Sequence, residues 1–455
     1  MRKNTSPWLY QLRKDRVSVV LMDNIETNVA IVGAGIAGIA TAFFTLKNTD
    51  KTVTLLERYK LAHGATGHNA GQVTTYFERG FASIAEEFGL EKAAEGQMAI
   101  ENSWALIDEM YTDARLDIPF SRFLGHAALS SFEQVLVHLN NNDARRTAGI
   151  PRERITISED APFLAEIPDE FIPLFDVVPQ EIISKMLETE SEEFVAVLSY
   201  QKGCINSALF CEEILLYLLE TYPKRFRFFE HTPIEKIILH DTYALLDAET
   251  DTVKADHVVL CTNGFNGVTL LNATGLDINT KFHHLIHGTV GYMSGYLEKM
   301  NKPPIAISYF TDPDPSADDP YFYLTRRTYE YEGNQLHNLI SVGGPELQLQ
   351  ESVSYAMDEE YPDEIAEKID TFVHKTYDMD PNKKIDYTFT WHGLMGYTRN
   401  GIRLIGPEPK NPVLMYNLGC NGVGILPSVY GGLRIAELLS GKELGPSLFD
   451  VPENI

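Results

Sequence analysis

The sequence predicts an α/β protein in which a Rossmann-like nucleotide-binding domain is intertwined with a second, α+β domain. The first observation is an apolar run from Val29 to Val32, followed by three closely spaced glycines and an apolar, helix-like segment. The second is the length of 455 residues, which exceeds what a single hydrophobic core usually supports. The third is an aromatic-rich middle section, residues 281–387, after which a strand, a glycine loop and a helix return at residues 413–441.

The glycines Gly33, Gly35 and Gly38 have the spacing of a dinucleotide-binding turn between a strand and a helix. The first permits the tight turn, the second lets the backbone approach a pyrophosphate, and the third lets the helix pack closely on the strand. The helix start then points unpaired N–H groups at the phosphates. Glu57 ends the second apolar run, where its carboxylate can accept a hydrogen bond from a ribose hydroxyl. The nucleotide site is therefore expected at Gly33, Ala34, Gly35, Ile36, Ala37, Gly38, Glu57 and Arg58.

The remaining elements follow from hydrophobic periodicity and turn residues. Strands are expected at residues 29–32, 53–56, 226–229 and 234–239, and in the middle section at 287–293, 321–325 and 339–342, where they form the wall of a substrate pocket. Helices are expected at residues 37–46 and 83–110, and from a cap at 206 or 207 to about 219. Residues 129–139 have a mixed strand and helix pattern.

These elements predict a discontinuous arrangement of domains. The nucleotide-binding domain is expected to combine residues 28–110, 200–275 and 390–445, and the second domain residues 111–199 and 276–389. Residues 1–27 are expected to form an amino-terminal extension that packs on the first domain.

The net charge and the cysteines argue against several classes of function. The net charge is −26, from 38 basic and 64 acidic residues, which disfavours nucleic acid or an anionic membrane as the main partner. The four cysteines lack the spacing of a zinc site, a disulfide framework or a redox-active dithiol. The histidines at 283, 284 and 287 do not have the spacing of a metal-ligand set, so no metal is expected. Because the apolar run Ser18 to Met22 is too short for a signal peptide or a membrane span, we expect a cytoplasmic protein.

Three separated segments resemble the D-amino-acid oxidase superfamily of FAD-dependent amine oxidoreductases, which includes glycine oxidase, sarcosine oxidase and γ-glutamylputrescine oxidoreductase. They are GAGIAG…LLE with the loop GATGHNAGQ, then PIEKI…ADHVVLCTNG, and finally WHGLMGYTRNGIRLIG…NLGCNGVGILP. They occur in the order of the superfamily and frame nearly the whole chain. The resemblance implies FAD as the cofactor and a substrate domain built on an antiparallel sheet.

The residues of these segments agree with a flavin. The small residues of the loop at 64–72 can approach a flavin ring closely, and a simple nicotinamide enzyme has no need for such a loop. The resemblance also implies that Ile234 meets the adenine, and that the loop at 422–424 lies beside the flavin N1–C2=O edge, where N–H groups stabilise negative charge. The flavin contacts are therefore expected at Ala65, Thr66, His68, Asn69, Ala70, Gly71, Gln72, Ile234, Thr262, Asn263, Gly264, Gly422, Val423, Gly424 and Ile425.

The resemblance singles out His68. A histidine in a similar loop of dimethylglycine and sarcosine dehydrogenases bonds covalently to the flavin. L-2-hydroxyglutarate oxidoreductases carry a similar TGHNSG stretch, which weakens that inference. Three interpretations of His68 therefore stay open, namely covalent attachment, a non-covalent contact with the flavin, and a structural role.

Met395 departs from the superfamily pattern. Its position corresponds to an arginine that clamps the substrate carboxylate in glycine oxidase, and to a cysteine that tethers the flavin in monomeric sarcosine oxidase. Methionine does neither, which favours an amine or N-substituted substrate over a simple α-amino acid. If a carboxylate is bound, Arg326, Arg327 and Arg403 are the candidates to bind it.

The candidate catalytic residues are His68, His392, Tyr397 and Arg326. Tyr397 is expected to line the pocket or to pack in the core, and His392 to act as a base or a hydrogen-bond donor. The resemblance implies hydride transfer from a neutral amine to flavin N5 and hydrolysis of the imine, with oxygen or another electron acceptor as the final partner. The alternatives are oxidation of a 2-hydroxy acid, and a flavin-binding protein without catalysis.

Overall fold

The computed structural model describes residues 3–249, 251–312, 321–333, 335–350, 355–377, 379 and 384–453. Its α-helices are α1 (Pro7–Tyr10), α2 (Ile36–Asn48), α3 (Phe81–Phe88), α4 (Leu90–Asn102), α5 (Trp104–Ala114), α6 (Phe132–Thr147), α7 (Gln180–Leu187), α8 (Ser207–Thr221), α9 (Asn279–Leu285), α10 (Asp363–Thr376) and α11 (Ile425–Leu439).

Its strands are β1 (Ile25–Val32), β2 (Val53–Leu56), β3 (Gln72–Thr74), β4 (Phe120–Leu129), β5 (Arg154–Ser158), β6 (Phe175–Val178), β7 (Ala196–Ile205), β8 (Phe226–Phe229), β9 (Lys236–Leu239), β10 (Ala244–Ala248), β11 (Asp251–Leu260), β12 (Thr269–Asn272), β13 (Ile286–Lys299), β14 (Ile305–Phe310), β15 (Tyr321–Tyr331), β16 (Gln335–Gln348), β17 (Phe389–Thr398), β18 (Leu404–Glu408) and β19 (Asn411–Leu418).

The first sheet has a parallel core in the order β8–β2–β1–β11–β19. β18 pairs antiparallel with β19, and β10, β9 and β12 continue the sheet beyond β11. All four residues of β2 are buried and apolar or hydroxyl-bearing, as expected for a strand covered on both faces. Helices α2 and α11 pack so closely that a Cβ at Gly432 would lie 2.6 Å from the carbonyl carbon of Ala40.

The second sheet is mainly antiparallel, in the order β17–β13–β16–β15–β14–β4–β7–β5–β6, with β3 paired to β7. The aromatic-rich middle section supplies its long strands β13, β15 and β16, whose central residues are buried in consecutive runs, as expected for strands covered on both faces. The predicted fold class is confirmed, since parallel and antiparallel sheets with flanking helices form the two halves of the molecule.

Several boundaries differ from the predicted ones. The helical region at 83–110 is three helices, because the chain adopts a left-handed conformation at Gly89 (φ +87°) and turns again at Ser103. β1 begins at Ile25, within the segment predicted as an extension, and β17 pairs with β13 in the second sheet. The division of the chain into domains stays a prediction.

Candidate active site

The turn from β1 to α2 has no room for side chains. Gly33 has φ +105°, and a Cβ there would lie 2.7 Å from the carbonyl oxygen of Cys261. A Cβ at Gly38 would lie 1.9 Å from the carbonyl oxygen of Gly33, and one at Gly35 would lie 2.9 Å from Thr66 Oγ1. The turn therefore has the close backbone packing that a pyrophosphate-binding loop requires.

The amino end of α2 is open to a ligand. No side chain caps the helix at Gly35, as far as the described residues go, although Thr66 Oγ1 accepts a hydrogen bond of 2.9 Å from the Ile36 N–H. The N–H groups of Ala37 and Gly38 belong to the helical turn that has no intrahelical acceptor. Backbone donors at a helix amino end fit a phosphate.

Glu57 lies at the end of β2, beside this turn. Its carboxylate accepts the Ala34 N–H at 2.8 Å and the Tyr59 N–H at 2.9 Å, which fixes its orientation. Burial raises the pKa of Glu57, and the two N–H donors lower it again in part. Thr232 donates its N–H to the Glu57 carbonyl oxygen, so the buried Ile234 follows close to this end of the site. Arg58 is exposed at its edge.

The loop at 64–72 is anchored on several sides. Asn69 Oδ1 accepts the Gly71 N–H at 2.7 Å, and the Asn69 carbonyl oxygen accepts the indole N–H groups of Trp8 and Trp391. Ser207 donates to the Thr66 carbonyl oxygen at 2.6 Å. The loop thus has a fixed conformation, and Ala65, His68, Asn69 and Ala70 are only partly buried along it.

His68 packs on β17, because a Cβ at Gly393 would lie 2.6 Å from its own Cβ. Its Nδ1 lies 3.0 Å from the Gly64 carbonyl oxygen, which can only accept a hydrogen bond. The neutral ring therefore carries its proton on Nδ1 and keeps a lone pair on Nε2. Burial lowers the pKa of His68 from 6.5 to about 4, so the ring is neutral at pH 7.

The two other predicted flavin segments meet at Asn263, which also donates through Nδ2 to Cys420 Sγ at 3.4 Å. Asn263 Oδ1 accepts the Cys420 N–H at 2.9 Å, and a Cβ at Gly264 would lie 2.5 Å from the Met395 carbonyl oxygen. The loop 420–424 then leads into α11 without a side-chain cap among the described residues. Thr262 Oγ1 is buried and has no hydrogen-bond partner in the described part of the chain, as expected of an atom that faces a ligand.

The structure brings together the predicted segments 33–38, 64–72, 262–264 and 420–424. Cys261 contacts Gly33, Thr66 contacts Gly35, and Asn263 contacts Cys420, so the segments lie side by side, and the region that they border is called the cleft. This cleft has a helix amino end with phosphate-binding geometry, a carboxylate for a ribose and an unpartnered hydroxyl. Its residues fit FAD.

Two candidate catalytic residues, Tyr397 and His392, lie on opposite faces of β17. Tyr397 faces the cleft, since its Oη would lie 3.1 Å from a Cβ at Gly422. His392 lies on the other face of β17, where Nδ1 is 3.0 Å from Tyr355 Oη and Nε2 is 2.9 Å from the Glu359 carbonyl oxygen. Both ring nitrogens of His392 are therefore engaged away from the cleft.

The candidate arginines are held elsewhere. Arg326 forms a two-pronged ion pair with Glu188 at 2.6 and 2.7 Å. Arg327 lies over the ring of Trp8 at 4.9 Å, and Arg403 donates to Asn417 and to the Gly419 carbonyl oxygen. None of the three is directed at the position of Met395.

The second sheet adds residues that the sequence did not single out. Tyr321 Oη donates to both carboxylate oxygens of Glu78, at 3.4 and 3.3 Å, and Tyr397 Oη donates to Glu346 Oε2 at 3.2 Å. The side chain of Glu78 is exposed beside this loop, and desolvation by the protein around it raises its pKa to about 7. The three consecutive aromatic residues Tyr321, Phe322 and Tyr323 are the sequence feature that could have indicated a pocket wall here.

Lys202 is a fully buried amine near the same wall. Its Nζ donates to Gln72 Oε1 at 3.0 Å and lies 5.0 Å from the ring centre of Tyr200. Burial lowers the pKa of Lys202 to about 7, and the negative charge of Glu78 raises it in part. Gln72 in turn donates to Thr325 Oγ1 at 2.7 Å, so the loop after His68 is joined to the pocket wall.

The described residues contain neither a membrane-spanning helix nor a cluster of metal ligands. Each helix they contain is too short or too polar to cross a bilayer. They also hold no group of three histidine, cysteine or acidic side chains arranged to bind a metal ion, and His283, His284 and His287 form none.

Comparison with solved structures supports the fold. Glycine oxidase from Geobacillus kaustophilus matches with a TM-score of 0.66 and 16% identity, covering 95% of this chain and 100% of that one. L-proline dehydrogenase from P. horikoshii matches with a TM-score of 0.66 and 15% identity over 92% and 95% of the chains. L-amino acid deaminase from Proteus vulgaris, without its specific insertion, matches with a TM-score of 0.64 and 14% identity over 98% of each chain.

Among curated proteins the sequence match covers only a small part of the chain, whereas a family model covers most of it. A relative from Bacillus subtilis (strain 168), YhfW, which is named as a Rieske 2Fe-2S iron-sulfur protein, is 31% identical over 97 residues. That match spans 20% of this chain and only 19% of the relative's length. The family model DAO, described as FAD dependent oxidoreductase, matches residues 28–438. The chain therefore belongs to the DAO family of FAD-dependent oxidoreductases.

Proposed function

We propose that the protein oxidises a C–N bond of an amine or amino-acid-like substrate, with FAD in the cleft described above. When bound, FAD supplies the acceptor for a hydride from the carbon beside the substrate nitrogen, and the imine product then hydrolyses in water. The structural neighbours are named as an oxidase, a dehydrogenase and a deaminase of amino acids, which favours C–N chemistry. Oxygen or another electron acceptor completes the cycle.

The observation that carries the proposal is the charge of the substrate wall. Glu78 contacts the loop before α11, whereas Arg326 is paired with Glu188, Arg403 donates to Asn417, and the guanidinium of Arg327 is buried over the ring of Trp8. A 2-hydroxy acid would bring its carboxylate against this acid with no arginine to bind it. An amine does not have this difficulty, so amine oxidation is favoured over hydroxy-acid oxidation.

The residues of the cleft have distinct roles in this proposal. The turn at 33–38 and Glu57 hold the nucleotide, and Ile234 lies near the adenine. The N–H groups of Gly422 and Gly424 and the start of α11 would stabilise negative charge at the flavin N1–C2=O edge, whereas the Val423 N–H donates to the Cys420 carbonyl oxygen. Tyr397 lines the substrate side. Hydride transfer needs few acid or base side chains. The role of the protein is therefore to orient the substrate with its reacting amine in the neutral form.

His68 faces the flavin in this proposal. The Nε2 lone pair of its neutral ring is the atom through which a covalent bond to the cofactor would form. Acid precipitation of the purified protein tests that bond. Yellow colour in the pellet supports covalent attachment, and colour in the supernatant excludes it.

Cytoplasmic localisation is also part of the proposal. The four cysteines are free in the structure, three of them buried, as is usual for a protein of a reducing compartment. Fractionation of cells that express the tagged protein would test this.

The experiment for the function is anaerobic mixing of the purified, yellow protein with amines and with 2-hydroxy acids. Bleaching of the flavin absorption band by an amine supports the proposal. Bleaching by hydroxy acids alone supports the alternative oxidation. Reduction by dithionite but by no small substrate supports a flavin-binding protein without catalysis.

A further inference from the structure

The carboxylate of Glu78 lies where the substrate wall meets the predicted flavin loop. A Cβ at Gly422 would lie 2.9 Å from Glu78 Cγ and 3.1 Å from Tyr397 Oη, so both side chains reach this loop. Tyr321 Oη donates to the Glu78 carboxylate from the opposite side at 3.3 Å. Glu78 is thus exposed but held between the loop at 422–424 and the hydroxyl of Tyr321.

No cationic side chain among the described residues forms an ion pair with Glu78, although the charge of Lys202 acts on it from a distance. The guanidinium of its neighbour Arg79 turns away to Glu87, to Ser83 and to the Asn400 carbonyl oxygen. The amine of Lys202 is bound to Gln72. A carboxylate without a cationic partner in the protein is stabilised when a ligand brings a cation to it.

Aromatic rings surround the same carboxylate. Tyr321 and Tyr323 pack with their ring centres 5.9 Å apart, and Tyr397 lies across from them with its hydroxyl directed to Glu346. Tyrosine faces attract alkylammonium groups, and a carboxylate among such faces strengthens the attraction. The combination is suited to a cation and not to a carboxylate.

We propose that Glu78 determines specificity by binding a second cationic group of the substrate, distinct from the nitrogen that is oxidised. The substrate class is then diamines, or amines that carry a further alkylammonium group. The inference rests on the proposed amine oxidation and extends it. It also accounts for Met395, because a substrate held through a cation does not need an arginine at that position.

Binding of an unreactive cation to the FAD-loaded protein tests the site without catalysis. The probe is choline, compared with its neutral carbon isostere 3,3-dimethylbutan-1-ol, and the readout is the shift of the flavin absorption band. We expect choline to bind about tenfold more tightly than the isostere, and Glu78→Gln to remove this difference. Glu87→Gln, a nearby surface acid paired with Arg79, is the control that keeps it. Equal binding of the two probes to the wild type overturns the proposal, whether or not the variant folds.

Anaerobic flavin reduction tests the substrate class. Putrescine, n-butylamine and γ-aminobutyrate share a four-carbon chain and differ in the second group. We expect putrescine to reduce the flavin with the highest rate per concentration, by about tenfold, and Glu78→Gln to abolish the preference. Equal rates for putrescine and n-butylamine overturn the proposal. If no amine reduces the flavin but choline binding depends on Glu78, the proposed reaction fails and the cation site stands.

Discussion

Asn263 and Cys420 lie 157 residues apart in the chain and are joined by a hydrogen bond of 2.9 Å from the Cys420 N–H to Asn263 Oδ1. The bond connects the turn after β11 with the loop before α11. Asn263 also has a left-handed backbone conformation (φ +52°), which asparagine and aspartate adopt more readily than other residues with side chains. The two segments that we place at the flavin ring are therefore held together by one side chain.

Replacing Asn263 tests this connection. Asn263→Ala removes the acceptor and strains the backbone, so we expect a loss of about 1–2 kcal/mol in the free energy of unfolding and weaker retention of FAD. Asn263→Asp keeps an acceptor oxygen and tolerates the backbone, so it should recover most of both. Urea unfolding and the ratio of flavin to protein absorbance measure these effects. Equal behaviour of the two variants would contradict the assigned role.

A side chain at Gly35 should prevent binding of the pyrophosphate. The added Cβ of Gly35→Val would lie 2.9 Å from Thr66 Oγ1 and would occupy the phosphate-facing side of the turn. We expect the variant to fold and to purify without FAD. Gly445→Val is the control, because a Cβ there meets nothing within 4 Å. A fully yellow Gly35→Val protein would show that the phosphates bind elsewhere.

The positions of the glycine turn, the loop at 64–72 and Glu57 could be predicted because each depends on a short, contiguous stretch of sequence. Glu78 was not, because its meaning depends on Tyr321, which is 243 residues away in the chain. Arg326 was placed near the substrate by its position beside a strand, but its ion pair with Glu188 depends on long-range packing across the second sheet. Local sequence therefore predicts the close packing of the glycine turn better than the side-chain contacts of the second sheet, and the assignment of residues to FAD stays a prediction.

The buried histidines should make stability depend on pH. Burial lowers the pKa of His68 from 6.5 to about 4, so between these values the unfolded state binds more protons than the folded state. Stability should therefore be fully present above pH 6.5 and should fall as the pH decreases toward 4. His68→Gln should remove about 1–3 kcal/mol of that loss. Thermal unfolding across this range measures it, with the exposed His284→Gln as a control that leaves the slope unchanged.

The positive charge of Lys202 should influence the pH at which the Glu78 carboxyl group loses its proton. Burial raises the pKa of Glu78 to about 7, while Tyr321, Tyr397 and Lys202 face it from the neighbouring strands. Since a protonated Glu78 does not attract a cation, choline should bind more tightly as the pH rises through about 7. Lys202→Met removes a positive charge that lowers this pKa, so the transition should move to higher pH. A transition at the same pH in both proteins would exclude this coupling.

Replacing Met395 with arginine should change the preference of the site from cationic toward anionic ligands. Met395→Arg places a guanidinium in the cleft, where it can pair with a carboxylate or with Glu78. We expect acetate to perturb the flavin spectrum of this variant but not of the wild type, and the preference for putrescine to decrease about tenfold. Met395→Leu, of similar volume, should keep the wild-type preference. Acetate binding to the Leu variant as well would point to an anion site that Met395 does not control.

The most direct measurement of the central claim is the rate at which the flavin absorption band of the purified protein bleaches when amines are added without oxygen. The account predicts rapid bleaching by an amine with a second cationic group, slower bleaching by a monoamine of equal length, and none by a 2-hydroxy acid. Bleaching by the 2-hydroxy acid with no response to any amine would contradict it.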